Sequence, residues 1–120
     1  MRVQITDDSM GMRQSVKRTL RQAGYTDVEG WEAGNGRDAI EVISSEAPDL
    51  VLCDWNMPEM NGIDLLTSLR AGGRDVPFGF VTSEGSPQML ERALNAGALF
   101  LIAKPFTPEA FRDALEPVLG

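Results

Sequence analysis

The stretch Val51-Leu52-Cys53-Asp54-Trp55-Asn56-Met57-Pro58 decides the fold of this chain. It begins as an apolar run, as expected for a strand that is buried on both faces. The run ends on Asp54, and Asn56 and Pro58 predict a turn directly after it. Because ligands of open α/β sheets bind beyond the carboxyl ends of the strands, we interpret Asp54 as a reactive carboxylate that faces such a crevice.

Strand and helix patterns alternate five times around this stretch, which predicts βα units on a parallel sheet. The predicted strands cover residues 2–6, 27–32, 50–53, 78–81 and 99–103. The cap residues Asn35, Ser86 and Thr107 predict where the second, fourth and fifth helices begin. The sequence therefore predicts a single α/β domain over residues 1–120.

Apolar spacing predicts which helical residues are buried. Ala47 is expected on the buried face of the second helix, and Leu90 and Leu94 on that of the fourth. Pro117 is expected to fray or bend the last turn of the fifth helix, because proline disfavours helical backbone at the residue before it. A basic stripe on the first helix predicts a solvated face or, as an alternative, a docking surface for an acidic kinase: Arg13, Lys17, Arg18 and Arg21.

Composition restricts the classes of function. The formal net charge of −7 argues against nucleic acid as a partner, because phosphate binding needs a basic face. The chain has no histidine and one cysteine, Cys53, which excludes histidine-dependent triads, histidine-ligated zinc and a disulfide framework. No apolar run is long enough for a bilayer, and the first residues resemble a strand and not a signal peptide. We therefore expect a cytoplasmic protein without membrane contact.

Residues suited to phosphoryl transfer follow the predicted strands. In a parallel sheet the carboxyl ends share one edge, which brings together the residues that follow four of the strands: Asp7, Asp8, Asp54, Thr82 and Lys104. Three carboxylates repel one another unless a cation lies among them, and an all-oxygen site suits Mg²⁺. An aspartate can attack phosphorus and form an aspartyl phosphate. The metal, the Lys104 ammonium and the Thr82 hydroxyl would each bind one phosphoryl oxygen.

Taken singly, these residues have ordinary explanations. The pair Asp7-Asp8 with Ser9 could cap the first helix, and Asp54 could cap the turn that follows it. Thr82 could satisfy a loop amide, and Lys104 could be a solvated strand end. Their joint occurrence at the ends of predicted strands favours the functional interpretation.

At these residues the sequence closely resembles the response-regulator receiver domains of two-component signalling, over nearly the whole chain. Five motifs carry the resemblance: Asp7-Asp8, the segment DWNMPEMNG at 54–62, Thr82-Ser83-Glu84, Ala96-Gly97-Ala98 and Lys104-Pro105-Phe106. The segment at 54–62 is especially similar to that of single-domain chemotaxis receivers. Together with the βα alternation, the resemblance implies a flavodoxin-like, doubly wound (βα)5 fold with strand order 2-1-3-4-5, for which the chemotaxis receiver is itself a standard example.

The resemblance also implies how a metal and a phosphoryl group would be bound. Asp54 would be the phosphoacceptor. Mg²⁺, or Mn²⁺ in its place, would be bound by Asp8, by the Asp54 carboxylate and by the main-chain carbonyl of Asn56. Asp7 would act mainly through water.

The remaining motif residues would act as switch and tuning elements. Thr82 would move toward the phosphoryl group, and Lys104 would bridge to the acceptor across a cis bond to Pro105. Asn56 and Glu84 would control phosphoryl lifetime through the attacking water.

One position departs from the family pattern. Three residues before the lysine, receivers usually carry an aromatic side chain that moves inward with the threonine. Here that position is Leu101, and Phe100 is expected on the opposite face of the strand. We therefore expect the conformational output through the fourth helix, fifth strand and fifth helix to be muted or different.

The implied function is a phosphorylation-switched signalling module, and not an enzyme beyond its own phosphorylation and dephosphorylation. A histidine kinase or a histidine phosphotransfer domain would donate to Asp54, and a downstream protein would bind the switched face. The chain is expected to be monomeric, with phosphorylation-dependent dimerisation left open.

Three alternatives belong to other classes of protein. An interaction scaffold would use the fold without phosphorylation, and Leu101 keeps that alternative open. A Mg²⁺-dependent phosphohydrolase usually carries a second aspartate two residues after its nucleophile, where this chain has Asn56. A flavodoxin-like cofactor binder is disfavoured because Asp7 and Asp8 would repel a cofactor phosphate.

Overall fold

Five parallel strands and five helices alternate along the chain in the computed structural model, which describes residues 1–119. The strands are β1 (Arg2–Thr6), β2 (Glu29–Ala33), β3 (Leu50–Cys53), β4 (Phe78–Thr82) and β5 (Phe100–Ala103). The helices are α1 (Met10–Gln22), α2 (Gly36–Glu46), α3 (Gly62–Ala71), α4 (Pro87–Ala96) and α5 (Pro108–Leu119). The sheet order is β2-β1-β3-β4-β5, which confirms the predicted flavodoxin-like topology.

The strand register makes the carboxyl ends of the strands level with one another. Thr6 at the end of β1 pairs with Cys53 at the end of β3, and Thr82 pairs with Ala103 across β4 and β5. Asp7, Asp54 and Lys104 each follow one of these paired residues. The pairing therefore places their backbones along one edge of the sheet.

Two hydrophobic layers cover the two faces of the sheet. Strand β3 contributes to both, because Leu50 and Leu52 pack toward α1 and α5, whereas Val51 and Cys53 pack toward α2, α3 and α4. This alternation explains why the whole strand is apolar. Cys53 is a buried member of this core, as predicted.

A glycine in β4 admits an aromatic ring from the neighbouring strand. Phe100 is the register partner of Gly79, and a Cβ atom on Gly79 would overlap the Phe100 ring. Gly79 therefore allows a large side chain to pack flat on the α1–α5 side of the sheet.

The helix starts agree with the predicted caps. Asn35 and Ser86 accept hydrogen bonds from Asp38 N and Met89 N, and the Thr107 hydroxyl accepts one from Ala110 N. Each bond satisfies a main-chain amide that has no partner inside its helix.

The second, fourth and fifth strands differ from their predicted bounds, and β4 includes Thr82 as its last residue. Strand β2 begins two residues later than predicted and extends to Ala33, and β5 begins at Phe100 and not at Leu99. In β2 only Ala33 is fully buried, so the edge strand has little apolar alternation to mark its limits.

The predicted burial of Leu90 and Leu94 is wrong. These side chains are 40% and 48% exposed, whereas Ala93 is fully buried and Met89 and Ala96 pack against the core. Two stripes of helical spacing contain Ala93: one adds Leu90 and Leu94, and the other adds Met89 and Ala96. The leucine stripe is the more hydrophobic, so hydrophobicity alone favoured it. The leucines form an exposed apolar surface on α4.

Two smaller predictions concern helix ends: the predicted burial of Ala47 is wrong, and α5 does not fray at Pro117. Ala47 is exposed and follows α2 as a left-handed C-cap with φ 50°, so its methyl group lies outside the core. Helix α5 continues through Pro117 to Leu119. The missing amide of Pro117 removes the helical donor of the Asp113 carbonyl, and Asp113 is exposed, so water can satisfy that carbonyl.

Candidate functional site

Three aspartates meet at the carboxyl edge of the sheet. Asp7, Asp8 and Asp54 each offer a carboxylate oxygen, and these atoms all lie within 4.8 Å of one another. The Asp54 amide donates to Thr6 O (2.9 Å), and the Asp7 amide donates to Ala33 O (3.0 Å). These bonds extend the strand pairing by one residue and bring the acids together. Asp7 is buried, and Asp8 is exposed.

Lys104 reaches the same cluster from β5. Its Nζ atom lies 3.1 Å from Asp7 Oδ2 and 3.6 Å from Asp54 Oδ1, and all three side chains are largely buried. The Lys104 amide donates to Thr82 O (2.7 Å), which anchors the lysine at the end of β4. The peptide bond between Lys104 and Pro105 is cis.

The carboxyl group of Asp54 lies where its charge is disfavoured. Burial raises the pKa of Asp54, the neighbouring Lys104 ammonium lowers it, and the Asp7 carboxylate raises it again. The Trp55 amide donates to Asp54 Oδ1 (2.8 Å) and favours the ionised form. The balance of these effects leaves the pKa above the ordinary value of an aspartate.

Thr82 is fully buried at the end of β4. Its hydroxyl oxygen accepts a hydrogen bond from the Glu84 amide (3.2 Å), so in this structure the hydroxyl satisfies a loop amide. The side chains of Glu84 and Asn56 are exposed at the same edge.

The face of the sheet toward α4 carries Leu101. Leu101 is half-buried against the core beneath α2, α3 and α4, and Phe100 lies in the opposite layer, as predicted from strand alternation. A Cβ atom added to Gly85, in the loop that follows β4, would lie 3.8 Å from Leu101 Cδ2.

Three structural features near the site were missed by the sequence analysis. Gly62 lies so close to the main-chain oxygen of Asp54 that a Cβ atom would overlap it, and its amide donates to Trp55 O (2.7 Å). The buried Trp55 ring lies 4.7 Å from the Phe80 ring, centroid to centroid, and the Arg92 guanidinium lies 5.4 Å from the Trp55 ring. Gly62, eight residues after Asp54, is a signal in the sequence that could have indicated this close approach of the chain to the end of β3.

The third feature is Arg13, which the sequence placed within the basic stripe of α1. Its Nη1 donates to the main-chain oxygen of Asp7 (2.6 Å), and its Nε donates to Glu32 (3.0 Å). Lys17 also binds Glu32, whereas Arg18 and Arg21 are exposed. The hydrogen bond from Lys17, together with Arg13 and against the effect of burial, lowers the pKa of Glu32. Part of the stripe is therefore structural and not solvated.

The donor set suits a hard divalent cation. The cluster offers carboxylate oxygens and no thiolate or imidazole, which is the chemistry that Mg²⁺ and Mn²⁺ select. Asp7 already binds the Ser9 amide through Oδ1 and Lys104 through Oδ2, whereas Asp8 faces solvent. A cation at this edge would thus meet Asp8 and Asp54 more directly than Asp7.

Residues 3–116 match the family model of the response regulator receiver domain. The chain belongs to this family. Receiver domains act in two-component signalling and are not conventional enzymes. The chain is similar to the chemotaxis protein CheY1 of Helicobacter pylori, with 44% identity over 100% of this chain and 98% of the relative.

Other relatives agree with this assignment. The chemotaxis protein CheY homolog of Campylobacter jejuni is 41% identical over 100% of this chain and 93% of its own length. The solved structure of the chemotaxis response regulator CheY4 of Vibrio cholerae has a TM-score of 0.83 at 34% identity, covering 98% of each chain. The protein is thus a CheY-like receiver domain. Within residues 1–119, no helix is both long and apolar enough to cross a membrane.

Proposed function

We propose that this receiver accepts a phosphoryl group on Asp54 in a Mg²⁺-dependent reaction and that residues 1–120 act as one switch domain. The observation that carries the proposal is the position of the Lys104 ammonium, 3.1 Å from Asp7 and 3.6 Å from Asp54, beside a cluster of three carboxylates. A cation among acids at the carboxyl edge of a sheet suits the binding of a phosphoryl group that is attacked by one of the acids.

The donor would be a phosphohistidine on a histidine kinase or a phosphotransfer domain. An Asp54 carboxylate oxygen attacks phosphorus, a P–O bond forms as the P–N bond breaks, and the leaving imidazole nitrogen takes a proton. Lys104 binds one phosphoryl oxygen with its ammonium group, and the Thr82 hydroxyl binds another. Because burial disfavours the Asp54 charge, the Lys104 ammonium and the Trp55 amide stabilise the ionised group that reacts.

The metal would be held by Asp8, Asp54 and the main-chain carbonyl of Asn56. It supplies a positive charge that neutralises the acids and one phosphoryl oxygen. Asp7 acts through water, because both of its carboxylate oxygens already accept hydrogen bonds from Ser9 and Lys104.

Phosphorylation would switch the face formed by α4, β5 and α5. When the Thr82 hydroxyl turns to the phosphoryl group, it leaves the Glu84 amide that it now accepts from, and the loop after β4 moves with it. Leu101 stands where receivers usually carry the aromatic side chain that moves with the threonine, so the movement would be relayed in a muted or different form. Exposed leucines on this face provide an apolar surface for a downstream protein: Leu90, Leu94 and Leu99.

Two exposed residues at the edge of the site would set the phosphoryl lifetime. Asn56 and Glu84 are close in sequence to the acceptor and to the switch hydroxyl, and their exposed side chains are accessible to the water that hydrolyses the aspartyl phosphate. The receiver would catalyse only its own phosphorylation and dephosphorylation.

Intact-mass spectrometry after incubation with acetyl phosphate and Mg²⁺ tests the proposal. One phosphoryl adduct is expected on the native protein, and none on Asp54→Ala or in the presence of a chelator. Stoichiometric uptake by Asp54→Ala would contradict the assignment of the acceptor.

An interaction scaffold that is never phosphorylated is the second candidate, because Leu101 replaces the usual switch aromatic. A beryllofluoride titration separates the two candidates even when hydrolysis hides the adduct. A receiver that binds beryllofluoride with Mg²⁺ is chemically competent, whereas one that gives neither an adduct nor beryllofluoride binding is a scaffold.

A further inference from the structure

The loop between β1 and α1 is fixed at four atoms of Asp7, one of which is Oδ2, bound by Lys104. The Asp7 amide donates to Ala33 O (3.0 Å), and Asp7 Oδ1 accepts from the Ser9 amide (2.9 Å). The main-chain carbonyl of Asp7 accepts from Arg13 Nη1 (2.6 Å). This carbonyl belongs to the peptide unit that joins Asp7 to Asp8, so the bond from Arg13 fixes the plane from which Asp8 projects.

Arg13 is itself held on its other side. Its side chain is 15% exposed, and Nε donates to Glu32 Oε1 (3.0 Å) on β2. Gln14 binds the same Oε1 atom, and Lys17 binds the other oxygen, Oε2, so replacing Lys17 leaves the two contacts at Oε1 in place. The planar guanidinium of Arg13 has donors that point in two directions, so it binds Glu32 on β2 and the Asp7 carbonyl in the loop at the same time. A single ammonium group cannot make both contacts in this geometry.

We propose that Arg13 is a positioning residue for the divalent cation: it orients Asp8 by binding the carbonyl of Asp7 while Glu32 holds the guanidinium. This inference rests on the proposed Mg²⁺ function. Asp8 is the exposed acid of the cluster and lacks the burial that fixes Asp7, so it depends most on the conformation of its peptide. Groups that orient metal ligands typically change metal affinity about 10-fold to 100-fold when removed.

The charge of Arg13 and its hydrogen bond to the Asp7 carbonyl predict opposite changes in Mg²⁺ affinity when Arg13 is replaced. A positive charge near a cation site repels the cation, so its removal should tighten Mg²⁺ binding if charge were the only effect. Loss of the hydrogen bond to Asp7 O should weaken binding, because Asp8 would then sample other orientations. Lys17 provides the matched control, because it carries the same charge on the same helix and binds the same Glu32.

The test compares Mg²⁺ dissociation constants of Arg13→Met and Lys17→Met by isothermal titration calorimetry, with thermal unfolding of each metal-free variant as a check on folding. We expect Arg13→Met to bind Mg²⁺ about 10-fold more weakly than the native protein. Lys17→Met should bind as tightly as the native protein or slightly more tightly. Equal affinities of Arg13→Met and Lys17→Met would overturn the proposal.

A conservative pair keeps the test decisive if Arg13→Met does not fold. Arg13→Lys retains the charge but not the two-sided contact, so its Mg²⁺ affinity should fall between those of the native protein and Arg13→Met, whereas Lys17→Arg should match the native protein. An Arg13→Lys variant with native affinity would overturn the proposal in that case.

The same titration separates this inference from the proposed function. Absence of Mg²⁺ binding by the native protein would overturn the metal-dependent function and this inference with it. If the native protein binds Mg²⁺ and the Arg13 variants bind it with the same affinity, only the role of Arg13 is overturned and the proposed function stands. In metal-free protein, ¹⁵N relaxation at the Asp8 amide should show larger motion in Arg13→Met than in Lys17→Met.

Discussion

At the scale of single residues, Asp54 and Lys104 determine the charge state of the site. Burial raises the pKa of the Asp54 carboxyl, and the Lys104 ammonium 3.6 Å away lowers it. The folded protein therefore holds the Asp54 proton more tightly than the unfolded chain. Stability falls as pH rises from the unfolded pKa of about 3.9 to the higher folded pKa, because ionisation is easier in the unfolded chain.

Replacing Lys104 should raise the Asp54 pKa further. In metal-free Lys104→Met, burial and the Asp7 carboxylate still raise the Asp54 pKa, and no ammonium group opposes them. The pH range over which the free energy of unfolding falls therefore extends to higher pH. Carboxyl ¹³C shifts of Asp54 against pH measure this effect, and Lys17→Met, which changes a charge outside the cluster, serves as the control. A midpoint equal to or below the native value would contradict the prediction.

The sequence could predict the acids and the lysine because each follows a strand, and parallel strands end at one edge. It could not predict Arg13, since a long side chain that turns back to a loop carbonyl leaves no periodic signal. For Thr82 the sequence left open whether its hydroxyl satisfies a loop amide, and the structure shows that it accepts from the Glu84 amide. Residue identity thus indicated which groups meet but not how they are held.

At the scale of elements, the contact between β4 and β5 depends on Gly79. Gly79→Ala should destabilise the protein by about 1–3 kcal/mol, because the added methyl group overlaps the Phe100 ring in a packed core. Urea denaturation at constant m-value measures the loss. Combining it with Phe100→Leu should cost less than the sum of the two single changes, because the smaller side chain makes room.

The same glycine-to-alanine change elsewhere gives a control. Gly11 lies in α1, where a Cβ atom would meet only Ser9 Oγ at 3.8 Å. Gly11→Ala should stabilise the protein by about 0.5–1 kcal/mol through helix propensity. If Gly79→Ala behaved like Gly11→Ala, the Phe100 ring would not occupy the space above Gly79.

Helix α4 shows an element whose buried face the sequence predicted incorrectly. Replacing Leu90 and Leu94 by glutamine should change stability by about 0.5 kcal/mol or less each, since both side chains are exposed. Ala93→Gln on the same helix should cost about 2 kcal/mol or more, because it forces a polar side chain into the core. Chemical denaturation of the three variants checks the order, and equal losses at Leu90 and Ala93 would restore the predicted stripe.

At the scale of the whole molecule, the acidic cluster links metal binding to stability. A cation that binds only the folded protein raises the free energy of unfolding by about 2.7 kcal/mol at 100 times its dissociation constant. The midpoint temperature of thermal unfolding of the native protein should therefore rise when Mg²⁺ is added. Asp8→Asn should lose this shift and be more stable than the native protein without metal, because one of three repelling carboxylates is gone. A Mg²⁺ shift that persists in Asp8→Asn would exclude Asp8 as a ligand.

The topology of the sheet could be predicted more completely than the details of the site or of the helices. Alternating patterns and buried strands such as β3 predicted βα units on a parallel sheet covered on both faces, and the resemblance to receiver domains supplied the strand order. The limits of β2 could not be read, since an edge strand with one fully buried residue carries little alternation.

The contrast between buried Asp7 and exposed Asp8 has a kinetic consequence. An ion bound between Asp8 and Asp54 would lie beside open solvent, so it would leave without any segment of the protein unfolding or swinging aside. Its residence time would be set by exchange of its own hydration water. Occupancy of the site would then follow the surrounding magnesium concentration within each cycle of phosphorylation and dephosphorylation. The domain would carry no trapped ion from one signal to the next.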